Sequence, residues 1–187
     1  MIYVFLAPGF EEIEALAVVD VLRRAELQVI TVGVGEDFVI GSHQIPVAAD
    51  IFERDLVLDE KVEAIVLPGG MPGTLNLEKS SVVQKAIDWA VENNKLVCAI
   101  CAAPSILGHK GILMGKEAIA YPGFEKDLEG AIISEKHVAC DGNIITANII
   151  NPLKSEISYI AYENPDKEFI VVSNDIKCNC NDCRHMK

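Results

Sequence analysis

The sequence predicts a single α/β domain in which helices cover both faces of a parallel sheet. Short apolar runs typical of strands alternate with longer segments whose apolar residues recur at helical spacing. This alternation indicates a parallel sheet, because neighbouring parallel strands need a crossover connection, usually a helix. The length of 187 residues and the apolar share of 50% suit one domain with a sizeable core.

The first predicted elements are a strand and an amphipathic helix. Residues 1–7 form a continuous apolar run that ends at Pro8-Gly9. Residues 11–24 have acidic residues at the start and arginines at the end, the charge order that the helix dipole favours. The apolar face of this helix is expected to contain Ile13, Leu16, Ala17, Val21 and Leu22.

Two hairpins are predicted from turn residues. Strands at 38–40 and 44–47 flank residues 41–43 (GSH) and form a small β-hairpin insertion. Strands at 136–139 and 143–147 flank an Asp141-Gly142 pair, which is typical of a tight turn. The remaining predicted elements are strands at 27–34, 64–67 and 95–100 and a helix at 80–91.

The charge of the chain argues against several classes of partner. The net charge is -12, from 28 acidic and 16 basic residues, so neither nucleic acid nor an anionic membrane is expected to bind. No run of 18 apolar residues occurs, and the first residues lack the basic start of a signal peptide. The six cysteines are therefore expected to be reduced thiols in a cytoplasmic protein.

Residues 96–104 predict a reactive cysteine. An apolar strand ends at Cys101, small residues follow, and Pro104 stands where a helix would begin. A cysteine at a helix N-terminus experiences a partial positive charge, which favours the reactive thiolate. Cys98 and Cys140 fall in apolar runs and are interpreted as core residues. Cys101 is the candidate nucleophile.

Three predicted strand ends carry groups suited to chemistry. They are the acidic segment 11–14, the Gly69-Gly70 turn and Cys101. Sites in parallel α/β sheets form outside the carboxyl ends of the strands, so these groups are expected to converge. Taken singly, each has a structural explanation: solvated first-turn acids, a tight turn and a buried cysteine. Together they match a nucleophile with an acid–base partner and an oxyanion pocket.

Six motifs then occur in a characteristic order within residues 1–147. They are residues 8–14 (PGFEEIE), 20–25 (DVLRRA), 41–43 (GSH), 66–70 (VLPGG), 99–104 (AICAAP) and 141–146 (DGNIIT). In these motifs the chain resembles the ThiJ/PfpI superfamily, in particular its protein deglycase-like branch. The resemblance implies a flavodoxin-like α/β domain of the class I glutamine amidotransferase type at residues 1–147, with a nucleophile elbow.

The resemblance also implies roles for individual residues. Cys101 matches the reactive cysteine on the elbow, and Glu14 matches the glutamate whose protonated carboxyl hydrogen-bonds the cysteine sulfur. Gly69 and Gly70 match the turn whose backbone N–H groups face the substrate oxygen. Ala102, directly after the nucleophile, is placed with these oxyanion- and substrate-binding residues.

Members of this branch act without a cofactor on methylglyoxal and related dicarbonyls or on their early protein adducts. The resemblance therefore implies a glyoxalase- or deglycase-like enzyme with no cofactor and a small carbonyl compound or glycated protein as its partner. It also implies a homodimer. The same cysteine is described as an oxidation sensor through its sulfinate, so a redox-responsive stress protein or holdase chaperone is the alternative.

Three positions depart from the family pattern. Ala102 stands where the protease members place a histidine, which disfavours protease or amidase chemistry. Tyr121 stands where some members have a histidine, and it is expected either to line the pocket or to pack in the core. His43 occupies the position of an arginine in one well-known member, so it is a candidate substrate contact or a surface residue.

Residues 148–187 form an atypical C-terminal segment. The family continues after Ala147 with a glycine-rich turn and a long apolar helix, whereas here a short helix at 153–162 and a strand at 168–173 are expected. The tail contains four side chains of types that bind zinc or copper: Cys178, Cys180, Cys183 and His185. All four crowd into one short loop without a second ligand pair, so the sequence predicts no metal site. Metal binding by these four side chains is the alternative.

Overall fold

A computed structural model describes residues 1–148, 159–162 and 169–172 of the chain. In chain order the strands are β1 Ile2–Leu6, β2 Val29–Gly33, β3 Phe38–Ile40, β4 Pro46–Ala48, β5 Ile51–Phe52, β6 Ala64–Leu67, β7 Leu96–Ile100, β8 Glu117–Ala118, β9 Ile132–Ile133, β10 Val138–Asp141, β11 Ile144–Ala147, β12 Tyr159–Tyr162 and β13 Phe169–Val172. The helices are α1 Glu12–Arg24, α2 Gly73–Lys79, α3 Ser81–Glu92 and α4 Pro104–His109, with 3-10 helices at Glu53–Asp55 and Glu125–Asp127.

Seven strands form one sheet in the order β10-β11-β7-β6-β1-β2-β5. Every neighbouring pair is parallel except β10 and β11, which form the predicted hairpin at the Asp-Gly turn. Strands β3 and β4 pair antiparallel as the predicted hairpin insertion. The prediction of a single α/β domain built on a mostly parallel sheet is confirmed.

The central strands bury side chains on both faces of the sheet. On one face Phe5, Ile65 and Val97 belong to a cluster that includes apolar residues of α2, α3 and α4. On the other face Val4 and Val66 belong to a cluster that includes the buried side of α1. Burial on both faces explains why these strands are continuously apolar rather than alternating in the sequence.

The buried face of α1 differs from the predicted one. Ile13 and Leu16 are 62% and 36% exposed, and of the five apolar residues expected to be buried only Leu22 is. The buried residues of α1 are Glu12, Glu14, Ala15, Val18, Val19 and Leu22. The alanine and the two valines lie in the cluster with β1 and β6, while both glutamates find hydrogen-bond partners in neighbouring loops. Helical spacing alone did not distinguish the two faces, because one turn offers apolar residues to each.

The C-terminal segment is described only in two strands. β12 and β13 pair antiparallel, so the helix expected at 153–162 is wrong at its C-terminal end, while β13 lies inside the strand expected at 168–173. The aromatic and β-branched residues of 159–162 and 169–172 favour strands. The predicted tail cluster of Cys178, Cys180, Cys183 and His185 lies outside the described residues. Among the described segments, no helix has the length and hydrophobicity needed to cross a bilayer.

Candidate active site

Cys101 lies on a strained turn between β7 and α4. Its φ of 62° is in the left-handed region, which a residue with a Cβ adopts only when its surroundings hold it there. The Cys101 N–H donates to the Ala147 carbonyl at 2.8 Å, and the Cys101 carbonyl accepts from the Tyr121 N–H at 2.7 Å. Pro104 opens α4. These contacts form the nucleophile elbow that the sequence predicts.

Glu14 places a carboxyl group beside the Cys101 sulfur. Its side chain is 4% exposed, hydrogen-bonds the Cys101 thiol, and accepts the Gly69 N–H at 2.7 Å through Oε2. A Cβ at Gly69 would lie 2.6 Å from this oxygen and 2.7 Å from the Cys101 Cβ, so only glycine fits there. Glu11 caps α1 by accepting the Glu14 N–H at 2.8 Å, which fixes the start of the helix.

The carboxyl and the thiol titrate as a coupled pair. Burial raises the pKa of Glu14 to about 7, with a further contribution from the Glu11 carboxylate, although bonds from Cys101 and Gly69 partly offset it. Burial also raises the pKa of the Cys101 thiol, as do the charge and hydrogen bond of Glu14. A position at a helix N-terminus favours a lowered thiol pKa, but here burial and the Glu14 carboxyl raise it. Near neutral pH the thiol therefore holds its proton, while the Glu14 carboxyl gains and loses one.

Two backbone N–H groups are directed at the sulfur. They belong to Gly70 and Ala102, and both lower the thiol pKa, though less than burial raises it. Gly70 has a φ of 95°, so its conformation favours glycine. The Gly69 N–H, expected to face a substrate oxygen, is taken by Glu14 instead because that carboxyl lies next to it. The structure therefore directs Gly70 and Ala102, rather than both glycines of the turn, toward the reactive atom.

Tyr121 contacts the elbow, whereas His43 contacts the start of α1. Tyr121 contacts the elbow through its backbone N–H, and its side chain is 40% exposed, so it does not pack in the core. The His43 imidazole is 67% exposed, and its Nδ1 lies 2.8 Å from Glu12 Oε2 and 3.7 Å from Glu11 Oε1. The ion pairs of His43 are thus with the first turn of α1 and not with the Glu14–Cys101 pair.

The sequence reasoning missed the role of Glu12, which was expected at most to be a solvated acid. Glu12 is 4% exposed and accepts N–H groups of the hairpin insertion, from His43 at 2.8 Å and Ile45 at 3.4 Å. Ser42 adds its hydroxyl at 3.2 Å. The signal in the sequence was the GSH motif, in which Gly41 leaves room for a carboxylate and its neighbours donate to it.

Within the described residues, one group offers metal-ligand atoms close together. The ligand atoms of Glu11, Glu12 and His43 lie within 4.8 Å of one another. The Glu12 oxygens already accept hydrogen bonds from the hairpin and the imidazole, so the cluster is explained without an ion. The arrangement anchors the hairpin beside the site.

The other two described cysteines differ from Cys101. Cys98 is buried, as expected, and burial raises the pKa of its thiol to about 12. Cys140 is exposed on the edge strand β10, which corrects its interpretation as a core residue. An edge strand has no neighbour on one side, so an apolar run there does not ensure burial.

Residues 1–154 match the model of the DJ-1/PfpI family. The chain belongs to this family. It is 35% identical over 147 residues to Protein dj-1beta of Drosophila melanogaster, and the aligned region covers 77% of this chain and 78% of that protein. It is 33% identical over 148 residues to the Parkinson disease protein 7 homolog of Danio rerio, with coverages of 77% and 78%.

Solved structures of this family share the fold. The crystal structure of Drosophila melanogaster DJ-1beta superposes with a TM-score of 0.73 at 34% identity, covering 79% of this chain and 80% of that one. The oxidized DJ-1 of Toxoplasma gondii gives a TM-score of 0.71 at 31% identity, with the same coverages. The superfamily resemblance and the flavodoxin-like fold expected from the sequence motifs are confirmed.

Proposed function

We propose that this DJ-1/PfpI protein is a cofactor-independent, glyoxalase- or deglycase-like enzyme acting on methylglyoxal-type α-oxoaldehydes or their early protein adducts. The observation that carries the proposal is the hydrogen bond between the buried Glu14 carboxyl and the Cys101 thiol. A general acid–base group works best when its pKa is near the working pH, and the pKa of Glu14 is raised to about 7.

The first step is addition of sulfur to the aldehyde. Cys101 transfers its proton to the Glu14 carboxylate, and the thiolate forms a bond to the aldehyde carbon of methylglyoxal. The electron pair of the carbonyl moves to its oxygen, which takes the proton back from Glu14. The product is a hemithioacetal, and Glu14 is again a carboxylate.

The second step moves a proton between adjacent carbons. The Glu14 carboxylate removes the proton from the former aldehyde carbon, which gives an enediolate, and then returns it at the neighbouring carbon, while the hydroxyl proton of the first carbon passes to the oxygen of the second. The result is a thioester of a 2-hydroxy acid. Water then hydrolyses this thioester to lactate and frees Cys101, so the overall reaction is methylglyoxal plus water to lactate with no net oxidation or reduction.

Backbone groups beside the sulfur support these steps. The Gly70 and Ala102 N–H groups point at the sulfur, so they stabilise negative charge on the thiolate and on an oxygen bound to the adjacent carbon. Tyr121, half-exposed beside the elbow, is proposed to line the substrate pocket. His43 is proposed to act only at the rim, because Glu12 holds its imidazole.

A redox-responsive stress protein is the second candidate function. Its support is the oxidized state of the related Toxoplasma gondii DJ-1 and the carboxyl placed beside Cys101, which can donate a hydrogen bond to a sulfinate oxygen. In this function a peroxide oxidises the Cys101 thiolate to sulfenate and then sulfinate, and Cys101 turns over no substrate. Protease or amidase chemistry is disfavoured by Ala102.

The proposed setting is a homodimer in the cytoplasm, with a small carbonyl compound or a glycated protein as the reacting partner. The free thiols of Cys98, Cys101 and Cys140 suit a reducing compartment. Exposed apolar side chains on α1 and on the hairpin insertion, Ile13 and Phe38 among them, are available for burial between two copies.

The test is lactate formation from methylglyoxal by the purified protein. Cys101→Ser is expected to abolish turnover, whereas Cys140→Ser removes an exposed thiol far from the carboxyl and is expected to retain it. Equal lactate from wild type and Cys101→Ser would overturn the enzyme proposal. Stoichiometric oxidation of Cys101 by peroxide without any turnover would then select the redox function, and mass spectrometry of the Cys101 peptide distinguishes the two.

A further inference from the structure

The segments that carry the site residues meet a second time at the far end of α4. α4 begins three positions after Cys101, and α2 begins three positions after Gly70. The 3-10 helix Glu125–Asp127 follows Tyr121, whose N–H donates to the Cys101 carbonyl. Three chain segments therefore leave the site and are in contact again at the end of α4.

His109, the last residue of α4, contacts the other two segments. Its Nδ1 lies 2.6 Å from Glu78 Oε1 on α2, and its Nε2 lies 3.9 Å from Asp127 Oδ1 on the 3-10 helix. Both ring nitrogens thus face a carboxylate, which a doubly protonated imidazole satisfies. The ring is 40% exposed and the two carboxylates are less so, at 30% and 27%. The group is a three-way contact at the surface.

The backbone makes this contact stiff. A Cβ at Gly108 would overlap the Asp127 carbonyl oxygen and lie 2.8 Å from the Leu128 Cα, so α4 and the 3-10 helix touch main chain to main chain. The bond between the Tyr121 N–H and the Cys101 carbonyl joins the same two segments near the site. The segment after Tyr121 therefore contacts the backbone near both ends of α4, at Cys101 and at Gly108.

We propose that His109 is a positioning residue for Cys101, whose ion pairs with Glu78 and Asp127 hold the elbow in its left-handed conformation. The assignment rests on the proposed function for the use made of Cys101, but the effect on the thiol itself requires no turnover. When the elbow relaxes, the sulfur leaves the Gly70 and Ala102 N–H groups, and the reactive thiolate loses that stabilisation.

The contact depends on the protonation of His109. The groups that face it are Glu78 on α2, with Asp127 and Glu129 on the segment after Tyr121, while Lys110 beside it pairs with Asp88 on α3 at 2.8 Å. The hydrogen bond to Glu78 is the largest cause that raises the pKa of His109; burial opposes it, and the charges of the three carboxylates add to it. The imidazole is charged at low pH, and the ion pairs disappear as the pH rises through this raised pKa.

The test is the rate at which iodoacetamide alkylates Cys101, measured between pH 5.5 and 9.5 on the full-length protein. His109→Gln is expected to slow alkylation about threefold at the low end, the size expected for a partly exposed ion pair, and to match wild type above the titration of His109. Glu78→Gln is expected to give the same profile, and the double variant no further loss. Lys110→Gln is the matched control, because Lys110 directly follows α4 and its ion pair goes to α3, which carries no site residue.

Three outcomes would overturn the proposal. They are a wild-type rate in His109→Gln at every pH, a loss of equal size at every pH, and an equal loss in Lys110→Gln. If His109→Gln fails to fold, Glu78→Gln tests the same ion pair from the other side. Absence of lactate in wild type would refute the enzyme function alone, since the alkylation profile reports the thiol without turnover.

Discussion

Glu12 and Glu14 lie two residues apart on α1, are each 4% exposed, and have opposite pKa shifts. Burial raises the pKa of both carboxyls. For Glu12, hydrogen bonds from the His43 side chain and from backbone N–H groups outweigh burial, so its pKa is lowered. Glu14 lies deeper in the protein, so burial outweighs the bonds from Cys101 and Gly69, and its pKa rises to about 7.

The difference shows that equal exposure does not give two carboxyls the same pKa shift, because the depth of burial and the number of hydrogen-bond donors both count. Glu12 lies under a hairpin that offers it two backbone N–H groups, a hydroxyl and an imidazole, so it is a fixed anion. Glu14 has one backbone N–H and a thiol, so it exchanges a proton near neutral pH. The first glutamate therefore anchors structure and the second is suited to chemistry.

The largest expected effect is a difference in catalytic activity between variants of the two glutamates. Glu14→Gln removes the acid–base group and is expected to lower kcat/KM for methylglyoxal by about 10²–10⁴-fold. Glu12→Gln keeps the carboxyl beside Cys101 and is expected to retain activity within about tenfold of wild type. Steady-state lactate formation by both variants is the measurement. Comparable losses in the two would show that the distinction drawn from their hydrogen bonds has no catalytic meaning.

Gly69 lies against the Glu14 carboxyl, and Gly41 lies against the Glu12 carboxyl. Substitution of either glycine by alanine adds a methyl group next to that carboxyl. A Cβ at Gly69 would crowd the Glu14 Oε2 and the Cys101 Cβ, whereas a Cβ at Gly41 would overlap the Glu12 carboxylate. Each alanine variant is expected to lose about 1–3 kcal/mol in the free energy of unfolding, measured with urea. Only Gly69→Ala is expected also to change the alkylation rate of Cys101. A change of the same size in Gly41→Ala would contradict this separation.

The pH dependence of stability offers a third contrast. The folded protein raises the pKa of Glu14 from 4.5 to about 7, so it binds this proton more tightly than the unfolded chain does. The contribution of Glu14 to stability is therefore complete below about pH 4.5 and falls as the pH rises toward 7. Wild type loses this contribution between pH 5 and pH 8, and Glu14→Gln does not. The unfolding free energy of the variant minus that of wild type is therefore expected to be about 1–3 kcal/mol larger at pH 8 than at pH 5.

Urea unfolding of wild type and Glu14→Gln at the two pH values measures this change. Gln keeps an oxygen that accepts the Gly69 N–H, so the comparison isolates the charge. Glu12, with a lowered pKa, has the opposite sign: its contribution is present above its unfolded pKa and is lost at lower pH. A difference between wild type and Glu14→Gln that is the same at both pH values would refute a raised pKa for Glu14.

The smallest expected effect concerns the imidazole beside Glu12. The hydrogen bond and charge of Glu12 raise the pKa of His43 above 6.5. In Glu12→Gln the pKa of His43 is expected to fall toward that value, followed by NMR titration of the ring protons. His109, which is paired with Glu78 instead, is expected to titrate as in wild type and is the internal control.

The order of elements and the turn that holds Cys101 at the end of β7 could be read from the sequence. The apolar strand that ends at Cys101 and the Pro-Gly and Gly-Gly turns after β1 and β6 are local patterns, and local conformational preferences decide them. The hairpin at residues 41–43 was likewise predictable from its turn residues. The family motifs then associated Glu14 with Cys101, 87 positions along the chain, before any distance was known.

Tertiary structure alone decided which face of α1 is buried and what each buried group contacts. Ile13 and Glu14 are neighbours in sequence, yet the exposed residue is the isoleucine, because the neighbouring loops supply hydrogen bonds to the carboxyls. The upward shift of the Cys101 pKa, the diversion of the Gly69 N–H to Glu14 and the contact of His109 with two other segments all arise between residues distant in sequence. Electrostatic environments depend on distances and burial in space, which the spacing of residues along the chain does not specify.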